Sequence, residues 1–301
     1  MRLTRRSLLQ KLGLLPLTIA FPQWLKAHPF KKKAHKLVIL HTNDTHSQID
    51  PLPANHTKYP NQGGVIARAK LIHEYRAANP HVLLFDSGDI FQGTPYFNRF
   101  HGTLEMKLMS KLNYDIVTLG NHDFDIGIDG FMNAQQHATF SFVNSNYDFG
   151  QTPMADVVRP FQIIDKGPYK VGIFGLGVDL NGLVPQSNFL GIQMKDPYES
   201  AKNIIYTLKK AKCNIIICLS HLGHQYEDPS KPSDLLLAKE VSGIDLILGG
   251  HTHTFMDEPV LIQNNEGGQV WIHQVGWAGV RLGVIEIEQG RLKIIQKKVS
   301  S

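Results

Sequence analysis

Along this chain, apolar residues gather in short runs that stop abruptly at an Asp, an Asn or a His. The runs at 37–40, 82–85, 116–119, 140–143, 161–164, 171–176, 215–219 and 246–248 have the length and punctuation of buried strands. Between them lie stretches of helical period. Residues 65–78 place Val65, Ala69, Ile72 and Tyr75 or Arg76 at helical spacing before Asn79-Pro80, and residues 103–112 carry Leu104, Leu108 and Leu112 on one face. Residues 197–211, the clearest helix, and 235–241 complete the set. The tail, at 270–275, 281–287 and 292–295, reads as antiparallel hairpins with a turn at Gln289-Gly290. Strands alternating with helices, followed by hairpins, predict an α/β protein whose sheets are covered by helices on both outer faces. In such folds ligands collect beyond the carboxyl ends of the strands. The proline-rich loop from 50 to 62 then forms part of the rim of that edge.

The polar residues that end these runs form a chemical set. Asp44 and His46 follow the first run, Asp89 the second, and Asn121, His122, Asp123 and Asp125 the third; His221 ends the run at 215–219, and His251 and His253 follow 246–248. A buried strand is a poor place for unpaired polar groups unless a metal ion or a substrate satisfies them. Imidazoles mixed with carboxylates suit Zn, Mn, Fe or Co rather than Ca or Mg. Asp44, His46, Asp89, Asn121, His221, His251 and His253 are too many donors for one ion. Two divalent ions about 3.5 to 4 Å apart, sharing a carboxylate, would use them all and hold a water or hydroxide between them.

Composition adds a leader and removes a class of partner. The 301 residues, 42% hydrophobic and 19% charged, are those of an ordinary globular protein, and one domain over 28–301 accounts for them. Residues 1–27 read as an export signal: Arg5 and Arg6 precede a short apolar stretch at 12–21, interrupted by Gly13 and Pro16 and too short to make a stable membrane span. Thr4-Arg5-Arg6-Ser7-Leu8-Leu9 resembles the twin-arginine signal that carries folded proteins across a bacterial inner membrane, which implies a periplasmic or otherwise exported protein, with cleavage after Ala20 or Ala27. The net charge of +5 comes from that leader: Arg2, Arg5, Arg6, Lys11 and Lys26 take 5 from 31 basic residues and leave 26 against 26 acidic ones. A near-neutral mature chain gives no reason to expect a nucleic-acid polymer as partner. Cys213 and Cys218, read as one strand-like run, are too far apart for a disulfide and fall on opposite faces, so free thiols are expected.

Five blocks now carry a family resemblance: Leu40-His41-Thr42-Asn43-Asp44-Thr45-His46, Gly88-Asp89, Gly120-Asn121-His122-Asp123-Phe124-Asp125, Ser220-His221-Leu222-Gly223 and Gly250-His251-Thr252-His253. In this order, and followed by Gln274-Val275-Gly276 and Arg281-Leu282-Gly283, they resemble the metallophosphatase domain of bacterial 5′-nucleotidases, within the calcineurin-like superfamily. The resemblance implies a four-layer αββα sandwich of two mixed β-sheets flanked by helices. It further implies that Asp44, His46 and His253 hold one ion, Asn121, His221 and His251 the other, and Asp89 both. His122 is then a catalytic group on the phosphate side, oriented by Asp125. The family often has Glu where this chain has Asp123, a departure expected to touch no ligand. His41 is read as a structural strand residue, and Trp271 and Trp277 as packing residues.

The same resemblance implies hydrolysis of small phosphate esters, nucleoside monophosphates first among them. 2′,3′-Cyclic nucleotide phosphodiesterase, UDP-sugar hydrolase and sulfur-oxidation thiohydrolase activities remain as alternatives, as does a non-catalytic exported metal-binding scaffold. Proteins of the family carry a C-terminal domain that stacks the base, and no stretch here offers a clear aromatic platform. A separate chain resembling that domain is therefore an expected partner.

Overall fold

The computed structural model describes residues 36–288 and 291–299. The leader, the lysine cluster at 31–33 and the turn at Gln289-Gly290 lie outside the described residues. In chain order the strands are β1 (Leu37–Thr42), β2 (Val82–Asp86), β3 (Ile116–Val117), β4 (Ser141–Val143), β5 (Tyr147–Asp148), β6 (Val158–Arg159), β7 (Phe161–Lys166), β8 (Tyr169–Gly177), β9 (Gln193–Met194), β10 (Ile215–His221), β11 (Leu246–Gly249), β12 (Val260–Gln263), β13 (Gln269–His273), β14 (Arg281–Glu288) and β15 (Arg291–Lys298). They form a seven-stranded sheet, β15-β14-β1-β2-β3-β4-β6, a six-stranded sheet, β12-β13-β11-β10-β8-β7, and the small pair β5-β9.

The alternation of side chains along each strand builds the layers. Leu37 and Ile39 of β1, Leu83 and Phe85 of β2, Ile285 of β14, Ile217 and Leu219 of β10, and Leu248 of β11 meet in one cluster between the sheets. Their neighbours Val38, Leu40, Leu84 and Val284 point the other way, onto Ile72, Met106 and Phe131 of the helices Val65–Ala78, Thr103–Lys111 and Gly127–Gln135. On the second sheet, Phe174, Ile216, Cys218 and Ile247 face Ile205, Leu208 and Leu237 of the helices Pro197–Lys210 and Asp234–Glu240. Three apolar clusters between four layers make an αββα sandwich. Because central strands such as β1, β2 and β10 are covered on both faces, they read in the sequence as continuous apolar runs rather than alternating ones.

The structure corrects the sequence reading in four places. Residues 270–275 are not part of a hairpin with β14: β13 runs parallel to β11 and antiparallel to β12, in the other sheet from the β14–β15 hairpin. Strand β12 gives no clear signal in the sequence because it is an edge strand beside Pro259, with only alternate residues shielded. The helices Pro95–Phe100 and Gly127–Gln135 are equally faint; the first is short, and the second contains Gly127 and Gly130, poor helix formers. Finally, Cys213 precedes β10 rather than lying in it, so both free thiols pack against the same helix-side cluster.

Candidate metal centre

Each predicted donor leaves the carboxyl end of a strand. Asp44 and His46 follow β1, Asp89 follows β2, Asn121 and His122 follow β3, His221 is the last residue of β10, and His251 and His253 follow β11. The two sheets are tied together at this edge. The Ser87 hydroxyl donates to the Leu248 carbonyl at 2.7 Å, and His221 Nδ1 donates to the Ser87 carbonyl at 2.6 Å. To aim side chains from a strand end back over the edge, the backbone turns through the left-handed region: φ is 48° at Asp44, 46° at His46, 55° at Asp89, 72° at His251 and 50° at His253. Such conformations cost about 1–3 kcal/mol each for a residue with a side chain, and they gather where surrounding structure enforces them. Gly120 is required for a different reason, since a Cβ there would run into the Asp89 carboxylate.

The side chains converge in two groups that share Asp89. Asp44, His46, Asp89 and His253 each bring a donor atom within 4.8 Å of the others, and Asp89, His221 and His251 do the same. His46 Nε2 is 2.9 Å from His253 Nε2, His253 Nε2 is 3.4 Å from Asp44 Oδ1, and His221 Nε2 is 3.1 Å from Asp89 Oδ2. Asn121 Oδ1 lies 2.8 Å from His251 Nδ1, beside the second group. Donors about 2.1 Å from an ion stand about 3.0–3.4 Å apart at the corners of an octahedron or a tetrahedron, the spacing seen here.

Tautomers and charge fit the same reading. His46 Nδ1 meets the Phe91 carbonyl at 3.2 Å and His221 Nδ1 the Ser87 carbonyl, so on both rings Nδ1 is engaged and Nε2 is the atom turned inward. His221 Nε2 is fully buried and faces the Asp89 carboxylate at 3.1 Å in a geometry that makes no hydrogen bond, an arrangement that a cation between them would satisfy. Burial disfavours charge on His221, but the facing carboxylates of Asp89 and Asp44 outweigh it and hold its pKa up at about 10. Burial likewise works against a charged Asp89, and the neighbouring His221 and His46 overcome it, holding the carboxyl below the usual range. His251 is pushed down to about 4 by burial and by the nearby His221. A proton on His221 thus supplies positive charge that divalent ions would supply more completely, releasing that proton.

His122 and Asp125 stand beside this centre. His122 Nδ1 lies 2.8 Å from Asp125 Oδ2, and the His122 backbone N–H donates to Asp89 Oδ1 at 2.8 Å. The hydrogen bond to Asp125 raises the pKa of His122 against the opposing effect of burial.

Several residues have supporting roles that the sequence does not reveal. Asp123, expected to touch no ligand, accepts the backbone N–H groups of Asp89, Ile90, Phe91 and Gly120 at 2.8–3.2 Å, and so fixes the turn that carries Asp89. Asn43 accepts from Val275 N and donates to the Gly276 carbonyl. Gln274 donates to the Gly250 carbonyl at 2.7 Å and accepts from Thr254 N, bracing the loop of His251 and His253. They fall inside the recognised blocks, but no local pattern reveals these bracing roles, because most of their partners lie far away along the chain. His41 is the structural residue expected, paired with His273 at 2.8 Å inside the protein. Aromatic rings do gather near the site: Trp277 stacks on His253, and Phe255 on Tyr59.

Comparison with known proteins decides the family. Residues 37–255 match the family described as Calcineurin-like phosphoesterase. The chain belongs to the calcineurin-like phosphoesterases. It is 33% identical over 272 residues to a snake venom 5′-nucleotidase of Crotalus adamanteus, a match covering 84% of this chain and 45% of that protein. It is 30% identical over 309 residues to the trifunctional nucleotide phosphoesterase protein YfkN of Bacillus subtilis, covering 89% of this chain and 20% of that one. Among solved structures, a 5′-nucleotidase precursor from Thermus thermophilus superposes with a TM-score of 0.78 at 31% identity, over 88% of this chain and 54% of that one. The chain spans about half the length of the 5′-nucleotidases it matches. Within this phosphoesterase fold, the buried His/Asp cluster at the strand ends is compatible with divalent metal binding.

Proposed function

We propose that the chain is an exported dinuclear-metal phosphoesterase of the 5′-nucleotidase type, hydrolysing nucleoside monophosphates to nucleoside and phosphate. One observation carries the reading: six donor side chains from both sheets converge around a seventh, Asp89, whose carboxylate also accepts the backbone N–H of His122, the residue paired with Asp125. Asp44, His46 and His253 would hold one ion, Asn121, His221 and His251 the other, with Asp89 common to both. Such ions, taken from Mn, Zn, Fe or Co, supply positive charge for the phosphoryl oxygens and acidify a water for attack on phosphorus. The chain's own residues do the rest. Asp125 fixes the His122 ring and favours its protonated form, whose Nε2 hydrogen would be available to the departing alkoxide. Asp89, bonded to the His122 backbone, keeps that imidazole in register with the ion positions.

This machinery grips a phosphoryl group; selectivity for the attached group needs an apolar surface and polar groups left unpaired by the wrong substrate. We assign that selectivity to a partner, a separate chain resembling the C-terminal domain of the longer relatives. With Mn, Zn or Co supplied, the purified chain should hydrolyse adenosine, uridine and sugar monophosphates with kcat/KM values within about a hundredfold of one another, equivalent to about 2.8 kcal/mol. A wider spread would place a complete substrate pocket in this chain. Inactivity towards all of them, cyclic nucleotides included, with ions bound would favour the scaffold.

Export rests on Arg5 and Arg6 ahead of the short apolar stretch; among the described residues no helix is long and apolar enough to cross a membrane. Replacing Arg5 and Arg6 together by lysine should retain the protein in the cytoplasm, scored by cell fractionation. Unimpeded export of that variant would refute the twin-arginine reading.

A further inference from the structure

We infer that Trp277 is a positioning residue for the metal centre: its indole holds the His253 imidazole in ligating orientation, and so sets the affinity of the ion position formed with Asp44 and His46. The inference rests on the two-ion reading above.

The site's histidines are not held alike. His46 and His221 are each oriented by a hydrogen bond from Nδ1 to a backbone carbonyl, the usual device for a ligating imidazole. His253 turns Nε2 towards His46 and Asp44, but among the described residues its Nδ1 meets no carbonyl or carboxylate. Its side chain is also 41% exposed, whereas the Asp44 and His221 side chains are fully buried. What fixes the ring is stacking: the His253 and Trp277 rings lie nearly parallel, 16° apart, with centroids separated by 6.1 Å, within the range of offset aromatic pairs.

Trp277 is itself anchored to the same ion position. The next residue, Ala278, donates its N–H to the Asp44 carbonyl at 2.8 Å. Asn43, beside Asp44, bonds both Val275 N and the Gly276 carbonyl. Gly276, at φ 85°, allows the segment to fold closely over Phe255, which any Cβ at that position would strike. His56 lies 6.4 Å from the indole, tilted 51° to it, and stacks on Tyr59, which stacks on Phe255 at 4.8 Å. These rings form a continuous aromatic row that ties the loop at 50–62 to the metal edge.

The stack also responds to an ion. An imidazole that donates its lone pair to a divalent cation becomes electron-poor, and an electron-poor ring is drawn more strongly to the face of an indole. By linkage, whatever the ion adds to the stack, the stack adds to the ion's affinity.

The test compares wild-type protein, W277A and W277F, stripped of metal and titrated with Mn²⁺ by equilibrium dialysis. W277A should bind one of the two ions about 10- to 100-fold more weakly while the other is unchanged, and W277F should recover most of the loss. Selective loss of one ion is the outcome that a general destabilisation would not produce. A W277A variant that binds both ions as wild type, or weakens both equally, overturns the inference. A second measurement uses only folded proteins: Co²⁺ should quench a component of tryptophan emission in the wild type that is missing from W277F, and identical quenching in both also overturns it. Wild-type protein that binds no second ion refutes the two-ion reading itself.

Discussion

Replacing Asp89 with asparagine should empty both ion positions and abolish measurable hydrolysis. Asparagine keeps the size of the side chain and tolerates the left-handed backbone, φ 55°, at this position, so the turn survives while the charge and one lone-pair-bearing oxygen are lost. The Asp89 carboxylate is the member common to both donor groups, with Oδ2 3.1 Å from His221 Nε2 and 3.8 Å from His46 Nε2. Without it, the second group has no carboxylate, and the first keeps only Asp44. Elemental analysis of protein from metal-replete cells should fall from about two ions per chain to near none, and phosphatase activity by about 10³ or more, several kcal/mol of transition-state stabilisation. Asn121→Ala is the matched comparison, expected to cost one ion. An Asp89→Asn protein that retains a full pair of ions would remove Asp89 from its shared role.

The second large effect depends on the leaving group. His122→Asn should slow nucleoside and alkyl monophosphates by about 10²–10⁴, the range for loss of a positioned proton donor. It should slow p-nitrophenyl phosphate much less, since p-nitrophenolate leaves without a proton. His122 belongs to neither donor group, so metal content should stay at the wild-type value. Its backbone N–H bond to Asp89 is also kept in the variant. Asp125→Asn should reproduce the pattern in weaker form, because it removes the charge that makes this bond raise the imidazole's pKa. Equal losses on both kinds of ester would deny His122 the proton-donor role.

The donors were legible in the sequence because each stands where an apolar run stops, and a run ending in Asp or His signals a buried strand opening onto an edge. The two-sheet sandwich was legible for a related reason: Leu37 to Leu40 and Ile215 to Leu219 are apolar at every position, as strands covered on both faces must be. What holds the donors in place was not legible. Asn43 reaches Gly276 across 233 positions and Val275 across 232, and no local period records such a pairing. The role of Asp123 was hidden because four backbone N–H groups lead a carboxylate into the interior as surely as an ion does, and backbone amides leave no trace in the residue pattern. Strand β13 pairs elsewhere than its sequence suggests because strand-like residues alone do not say which sheet receives them.

The span of chain gathered at the centre has a further consequence for folding. Asp44 accepts a hydrogen bond from the backbone of His251 across 207 positions, so the donors meet only after both sheets have formed and closed on each other. Contacts so distant in sequence are slow to form, and the loop-closure entropy must be spent before any ion can return it. A partly built chain lacks the full set, so on the two-ion reading the ions would bind the finished fold and act on it by mass action. Each ion present at a hundredfold excess over its Kd would then deepen the native well by about 2.7 kcal/mol.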